Sequence, residues 1–200
     1  MSASPYRHEC LVDRLPSAGL WKSRPLRRVD EILFHRNTVA DTPTGIAQWY
    51  IDRKGWPSAP YHFDIDWLDG APIVYQTARL RSIVYGAKRH NVSGIHIAFN
   101  ADYRNRLPHP AMFAAGACLA ADLLAWFAFE RGQTKGKGSI RVRTHTEAAL
   151  LIAPKRWLPI KQCPGKCFRA DGFREVVSRA LHETGHNMPV STVGNPWWMI

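Results

Sequence analysis

The sequence is poor in cysteine and in acidic residues, and it has no long uninterrupted apolar run. Four cysteines in 200 residues are too few for a disulfide framework, so we expect thiols or metal ligands. The longest apolar stretch, Ala111–Phe129, is interrupted by Gly116 and Asp122, which disfavours a membrane-spanning helix. The first residues lack the apolar segment of a secretory signal peptide, so we expect synthesis in the cytoplasm.

The shortage of acidic residues leaves a strongly basic chain. Lysine and arginine number 27 against 16 aspartates and glutamates, which gives a net charge of +11. Such a charge attracts polyanions, namely nucleic acid, anionic lipid or an anionic cell wall, without specifying any chemistry. The sequence shows neither a recognition helix nor a stacking sheet with a basic stripe, so no specific nucleic-acid partner is expected.

The length and the mixture of strand and helix patterns predict one α/β domain. An apolar fraction of 46% and eight tryptophans are sufficient for a substantial core. We predict a mixed central β-sheet flanked by helices, formed by residues 29–168. Residues 1–28 are predicted to be a basic N-terminal extension, and residues 169–200 a helical C-terminal extension.

The periodicity of apolar residues places the individual elements. Asp69-Gly70 is a hairpin turn signal between two of the strands. Residues 79–89 are basic and are predicted to be either a helix or an irregular loop. Strands are predicted at Val29–His35, Tyr61–Trp67, Pro72–Thr77 and Ser93–Asn100, and helices at Thr44–Lys54, Pro110–Gly132 and Asp171–Thr184.

The stretch that holds most chemical information is SIRVRTHTEAALLIAPKRWLPIKQCPGKC, residues 139–167. It predicts a short strand that ends at His145, then a loop, and then Lys161-Gln-Cys163-Pro-Gly. Imidazole and thiolate are both good Zn²⁺ ligands, and a cation beside the thiolate would lower its pKa or stabilise an oxyanion. His35, at the end of an earlier predicted strand, is a candidate third ligand. On these residues alone, a surface loop with an isolated cysteine is the simpler interpretation.

A second metal-binding pattern lies near the C-terminus. The run His182-Glu183-Thr-Gly-His186 fits H-E-x-x-H, which on a helix would present two zinc ligands and a catalytic base, as in zincin metalloproteases. Gly185 and Pro189 predict that the helix ends there. No Asp, Glu or His follows His186 to complete the ligand set, so this interpretation is the weaker one.

Four segments in this order resemble the zinc-dependent N-acetylmuramoyl-L-alanine amidases, the family shared by phage lysozyme-type amidases and peptidoglycan recognition proteins. The resemblance covers about Val29 to Cys167. The segments are His35, then GWPSAPYHFDIDWLDGAPIVYQ, then NVSGIHIAFN, then THTEAALLIAPKRWLPIKQCPG.

The resemblance implies a zinc site and a reaction. It assigns His35, His145 and Cys163 as zinc ligands, with one position left for water, as in a catalytic zinc site. It assigns Tyr61 and Lys161 as catalytic residues. The implied reaction is hydrolysis of the amide between N-acetylmuramic acid and the L-alanine of the stem peptide. This chemistry is that of a bacteriolytic, endolysin-type enzyme that degrades the cell wall after its release from the cytoplasm.

The sequence departs from the family pattern at several positions. Arg36 and Asn37 follow the first ligand, where the family often has a second His or a Thr. Lys88 replaces the His of a common Gly-Ala-His motif, and His96 lies near the place where some members carry a Glu. The general base is therefore left open between Tyr61, His96 and the metal-bound water.

The resemblance also defines partners and a rival function. Peptidoglycan is the implied ligand, the basic surface would favour an anionic cell envelope, and we expect a monomer. The rival is a non-catalytic peptidoglycan-binding module of the same fold, which predicts loss of a ligand. Cys167 lies close enough to Cys163 to compete for the metal, but the Lys-x-Cys-Pro-Gly context favours Cys163.

Overall fold

A mixed six-stranded sheet organises the part of the chain that the computed structural model describes, residues 6–37, 39, 41–130, 140–152 and 162–187. The strand order is β1-β4-β3-β5-β2-β6, and every pair is parallel except the β3–β4 hairpin. The strands are β1 (Arg7–Cys10), β2 (Glu31–Arg36), β3 (Phe63–Leu68), β4 (Ala71–Gln76), β5 (Gly94–Phe99) and β6 (Arg141–Thr144). The helices are α1 (Pro43–Lys54), α2 (Pro110–Glu130), α3 (His145–Ile152) and α4 (Ala170–Asn187), with a 3₁₀ turn at Leu26–Arg28.

This architecture confirms the predicted α/β fold with its mixed sheet and flanking helices. The predicted strands β2 to β5 and helices α1, α2 and α4 are all present, with ends that shift by a few residues. Asp69 and Gly70 have φ angles of 52° and 79°, as the predicted hairpin turn requires. Residues 79–89 form turns rather than a helix.

Two elements differ from the predictions. A strand, β1, lies within the segment predicted as an N-terminal extension, and it pairs with β4. A helix, α3, begins at His145, where a loop was predicted. Helix α4 extends to Asn187, between Gly185 and Pro189, where the helix end was expected. The proposed division into residues 1–28, 29–168 and 169–200 stays a prediction.

The sheet has one apolar and one polar face, because side chains alternate along each strand. The apolar face packs against α2 and α4, whose Leu119, Leu123, Phe173 and Val177 are buried there. Burial of this surface is the main stabilising contribution to the fold. The sheet contributes Ile32, Phe34, Phe63, Ile65, Val74, Ile95, Ile97 and Phe99 to this core.

The polar face carries the opposite set of residues on the same strands. Register pairs Leu33 of β2 with His96 of β5, and His35 with Ala98. Asp64 of β3 lies in the same row, beside Ala98. Histidines and a carboxylate are therefore gathered on the face that α2 and α4 do not cover.

Helix α2 has the length and composition of a membrane-spanning helix and also the burial of a core helix, and sequence alone does not distinguish the two. By length and composition its window Pro110–Ala128 is sufficient to cross a membrane, contrary to the expectation drawn from its interruptions. However, 56% of that window is buried inside the domain, where the helix contacts β3, β4 and α4. A mostly buried core helix passes the same test of length and composition.

Helix α2 approaches the sheet closely at Gly116. An added Cβ there would lie 2.6 Å from Cζ of Phe99 and 3.1 Å from Cδ1 of Ile65. Such overpacking costs about 1–3 kcal/mol, which exceeds the ~1 kcal/mol that alanine adds through helix propensity. We expect Gly116→Ala to lower the free energy of unfolding, measured by denaturant titration.

Gly172 in α4 is the matched control, since an added Cβ would have its nearest neighbour, Cβ of Arg169, at 3.9 Å. Gly172→Ala should raise the free energy of unfolding by about 0.5–1 kcal/mol. If both alanines shift stability in the same direction, the approach at Gly116 does not limit the packing of α2.

Candidate metal centre

His35 lies at the end of β2, between β5 and β6 in the middle of the polar region of the sheet. Its side chain is almost fully buried, with a relative exposure of 1%. Burial, together with the neighbouring His145 and His96, holds the pKa of His35 well below its usual value. The imidazole is therefore neutral at physiological pH, and a neutral imidazole can bind a metal ion.

The parallel pairing of β6 with β2 brings His145 beside His35. Phe34 pairs with Thr144, so the residues that follow them, His35 and His145, lie at the same end of the two strands. The centroids of the two imidazole rings are 4.8 Å apart. Strand register thus brings the two histidines together, although they lie 110 residues apart in the sequence.

Cys163 completes the group from a loop. Its Sγ lies 4.0 Å from Nδ1 of His35 and accepts a hydrogen bond of 3.4 Å from the backbone N–H of Arg36. One ligand atom from each of His35, His145 and Cys163 lies within 4.8 Å of the other two. Within the described ranges, this is the one cluster of His, Cys, Asp or Glu side chains suited to hold a metal ion.

The donor set fits zinc. Two imidazoles and one thiolate form a three-ligand shell of the catalytic type, which leaves a fourth position open. Tetrahedral Zn–N and Zn–S bonds of about 2.0 and 2.3 Å correspond to ligand separations of about 3.5 Å. Sγ of Cys163 and Nδ1 of His35 are 4.0 Å apart and all three ligand atoms lie within 4.8 Å of one another, so the side chains would move inward to hold the ion.

Thr146 holds Cys163 in place from the first turn of α3. The Thr146 hydroxyl accepts a hydrogen bond of 2.8 Å from the Cys163 amide and donates one of 3.0 Å to the Cys163 carbonyl. The Thr146 amide donates a third bond, of 3.1 Å, to the same carbonyl. Because His145 immediately precedes Thr146, the start of α3 positions two of the three ligands at once.

Tyr61, one of the two residues that the resemblance assigned as catalytic, borders the group. Its ring centroid is 5.1 Å from that of His35, and its hydroxyl donates a hydrogen bond of 3.3 Å to the Arg36 carbonyl. Burial, with Tyr50 and Cys163 nearby, raises the pKa of Tyr61 well above its usual value. The hydroxyl therefore keeps its proton and is a donor rather than a base. Lys161 lies outside the described residues.

Cys167 and the H-E-x-x-H run lie apart from this group. Cys167 Sγ donates instead to the Arg104 carbonyl at 3.6 Å. The H-E-x-x-H run lies on α4, which packs against α2 on the apolar face of the sheet, away from His35. No disulfide joins any two of the four cysteines, all of which are described.

A second layer of polar residues lies beneath the group and was not predicted. His96 is fully buried, and its Nδ1 is 2.9 Å from Nε2 of His35. His62 Nδ1 accepts from the His96 amide at 3.0 Å, and Arg24 lies 3.2 Å from His62 Nε2. Burial and the Arg24 charge hold the pKa of His62 well below its usual value. In the sequence, the alternation in YHFDID and GIHIAF indicates which residues share a face of the sheet. It does not indicate which of them contact each other.

Asp64 is another buried ionisable residue on this face. Burial and, to a smaller extent, the Asp66 carboxylate raise its pKa to about 7, against the opposing effect of a hydrogen bond with the Asn37 side chain. Asp64 thus carries a proton for much of the time near neutral pH. Its strand position was predicted, but its complete burial was not.

Solved structures share this fold at low sequence identity. An endolysin from a Thermus scotoductus bacteriophage aligns with a TM-score of 0.63 and 20% identity over 86% of this chain and 99% of its own. Peptidoglycan recognition protein LE, in complex with tracheal cytotoxin, aligns with a TM-score of 0.59 and 14% identity over 86% of this chain and 94% of its own. The N-acetylmuramoyl-L-alanine amidase LysC from Clostridium intestinale aligns with a TM-score of 0.57 and 16% identity over 85% and 97%.

These alignments show that the chain has the fold of amidases and peptidoglycan recognition proteins. The resemblance predicted from the sequence is thereby confirmed at the level of the fold. No family model matches the sequence, and no curated protein is significantly similar to it.

The bonds from Thr146 generate a test of how the centre is held. Thr146→Val keeps the shape of the side chain but removes both hydroxyl bonds to Cys163, so we expect zinc affinity to fall about 10–100-fold. Thr146→Ser keeps the hydroxyl and should bind zinc nearly as well as the wild type. Competition with a chromophoric chelator measures both affinities. Equal zinc affinity in the valine and serine variants would show that the hydroxyl does not hold the cysteine.

Proposed function

We propose that the protein is a zinc-dependent peptidoglycan amidase that hydrolyses the amide between N-acetylmuramic acid and the L-alanine of the stem peptide. In this proposal His35, His145 and Cys163 hold the zinc ion. The enzyme is of the endolysin type and acts on the cell wall after release from the cytoplasm.

The observation that carries the proposal is the convergence of three ligand atoms within 4.8 Å, at the end of β2 and β6. These ligands come from three separate segments, so chance clustering is a poor explanation for their meeting. The fold shared with solved amidases and endolysins supports the same conclusion. A zinc ion held there would supply Lewis acidity toward a carbonyl and would activate water at neutral pH.

Tyr61 is proposed to stabilise charge during the reaction. Attack on the amide carbonyl places negative charge on its oxygen, and a prepositioned O–H donor lowers the energy of that transition state. The Tyr61 hydroxyl lies beside His35 and is held by a long hydrogen bond of 3.3 Å to the Arg36 carbonyl. That bond is weak enough to be exchanged for one to the substrate. Lys161 is proposed to share this role.

His96 is a poor candidate for the general base. It is fully buried, and its Nδ1 is occupied by His35 at 2.9 Å. A base must reach the proton that it removes, directly or through one water molecule. Tyr61 keeps its proton for the reason given above, so in our proposal the activated water needs neither residue as its base.

Peptidoglycan is the proposed partner. The peptidoglycan recognition protein of the same fold is solved with tracheal cytotoxin, a monomeric diaminopimelic acid-type peptidoglycan, which supports this class of ligand. The net charge of +11 would add long-range attraction to an anionic cell envelope. We propose that the protein acts as a monomer.

The rival functions make different predictions. A non-catalytic peptidoglycan-binding module requires no ligand set, whereas all three ligands are present and adjacent here. A zincin would depend on His182, so His182→Ala should abolish its peptidase activity and leave an amidase almost unchanged.

The ligand assignment is tested with two cysteine variants. Wild-type protein should contain about one zinc per chain and release free stem peptide from peptidoglycan, since a catalytic site holds a single ion. Cys163→Ala should lose both zinc and hydrolysis. Cys167→Ala, the matched control, should keep both, because that thiol points to the Arg104 carbonyl. Zinc content by atomic absorption and peptide release by chromatography decide the matter, and retention of both by Cys163→Ala would contradict the proposal.

The role of Tyr61 is tested by removing its hydroxyl alone. Tyr61→Phe should reduce the rate of hydrolysis by about 10²–10³-fold, the usual effect of losing one oxyanion donor. Zinc content should not change, since Tyr61 is not a ligand. Tyr103→Phe is the control: that residue is buried in the apolar core and its hydroxyl has no hydrogen-bond partner within the described residues. Equal rates in the two variants would remove Tyr61 from the mechanism.

A further inference from the structure

Three buried imidazoles form a column that leads from the metal centre into the domain. The imidazole column consists of His35, His96 and His62, and Arg24 closes its far end. All four side chains have relative exposures of 2% or less. Buried polar groups need specific partners to offset their desolvation, so the order of donors and acceptors in this column is constrained.

The direction of the first hydrogen bond follows from the position of the ligand atoms. Nδ1 of His35 is the atom that faces Cys163, and Nε2 is the atom that faces His96. A neutral imidazole that uses Nδ1 to bind a metal carries its proton on Nε2. With an ion on Nδ1, His35 would donate from Nε2 and Nδ1 of His96 would accept.

The second hydrogen bond runs through the backbone. The His96 amide donates to Nδ1 of His62 at 3.0 Å, so the proton of His62 is on Nε2, which donates to the Ser82 carbonyl at 3.0 Å. The His62 amide donates in return to the His96 carbonyl at 2.8 Å. These bonds fix the backbone on which the His96 ring is mounted.

Two glycines confine the His96 ring. A Cβ added to Gly86 would lie 2.5 Å from Nδ1 of His96, and one added to Gly94 would lie 2.9 Å from its Nε2. Real Cβ atoms do not approach other atoms so closely. The ring is thus held in a slot that only glycine leaves open, with Nδ1 directed at His35.

Arg24 anchors the other end of the column. Its guanidinium donates to the carbonyls of Asn91 and Val92 at 2.7 and 2.9 Å, and to that of Leu80 at 3.2 Å. These bonds tie the connection between β4 and β5 to the segment that precedes β2. The slot around His96 is built from the same connection, since Gly86 belongs to it.

We propose that His96 is a positioning residue for the metal centre: its Nδ1 accepts a hydrogen bond from Nε2 of His35 and so directs Nδ1 of His35 toward Cys163 and His145. The inference rests on the proposed metal site. His96 touches neither metal nor substrate in this role.

The test compares two substitutions of equal shape. In His96→Asn, Oδ1 replaces Nδ1 at nearly the same position and still accepts a hydrogen bond. In His96→Leu, a side chain of the same shape has no acceptor. Zinc affinity by chelator competition should fall about 10–100-fold in the leucine variant and stay close to wild type in the asparagine variant.

A second readout does not depend on zinc. The ¹⁵N chemical shifts of the His35 imidazole, recorded on the protein as purified and after chelation, report which nitrogen carries the proton. The wild type and the asparagine variant should hold the proton on Nε2, whereas the leucine variant should show a mixture of tautomers. Thermal unfolding of each variant separates loss of the hydrogen bond from loss of the fold.

The possible results separate the role of His96 from the proposed function. Equal zinc affinity and equal tautomers in all three proteins, or equal losses in both variants, would overturn the role of His96. If the wild type binds zinc and the variants respond as described but no stem peptide is released from peptidoglycan, the proposed function fails and the positioning role stands. If the wild type binds zinc and the tautomer does not respond, the positioning role fails and the proposed function stands.

Discussion

The register of β2 against β5 and β6 is the constraint on which the other features depend. Because the side-chain period of a strand is two residues, this register directs Ile32 and Phe34 into the apolar core and His35 to the opposite face. A shift by one residue would bury His35 against α2 and α4 and expose Phe34. The same hydrogen bonds therefore define both the core and the candidate metal centre.

The polar face is costly in free energy, and its stability depends on the hydrogen bonds that its buried groups make. His62, His96 and Arg24 are all removed from water, and losing one of their hydrogen bonds would cost about 1–3 kcal/mol. Backbone carbonyls of the β4–β5 connection accept hydrogen bonds from the terminal nitrogens of Arg24, and the two histidines are joined through hydrogen bonds of their backbone amides. The apolar face, which includes six fully buried large side chains of β2, β3 and β5, supplies the stability that permits this arrangement: Phe34, Phe63, Phe99, Ile65, Ile95 and Ile97.

The three residues of the candidate metal centre come from a strand, a helix and a loop. His35 is on a central strand, and His145 is the first residue of a helix that follows an edge strand directly. Cys163 comes from a loop, but Thr146 binds its amide and carbonyl, and Gly165 packs against the Tyr103 backbone with φ of 146°. A side chain at position 165 would collide with that backbone, so the turn after Cys163 requires glycine. The loop ligand is thereby held by the helix that carries the second ligand.

The sequence alone determined the elements whose signals are local. The apolar content of VDEILFH and the alternation in YHFDIDW and SGIHIAFN predicted three strands, and Asp69-Gly70 predicted the hairpin from YHFDIDW to PIVYQT. The motif order, through the family resemblance, implied the three candidate ligands. Strand β1 and helix α3, with four and eight residues, are too short to carry such a signal. They form because the sheet offers β1 an edge and places α3 after β6, and both are tertiary conditions.

The second layer of the site was decided by tertiary structure. His35 and His96 are separated by 61 residues, and Arg24 and His62 by 38. No local pattern distinguishes a histidine that binds a metal from one that supports it, because the difference lies in which atom each ring directs at its neighbour. That direction is set by strand register and by the space beside two glycines, and both exist only after the chain has folded.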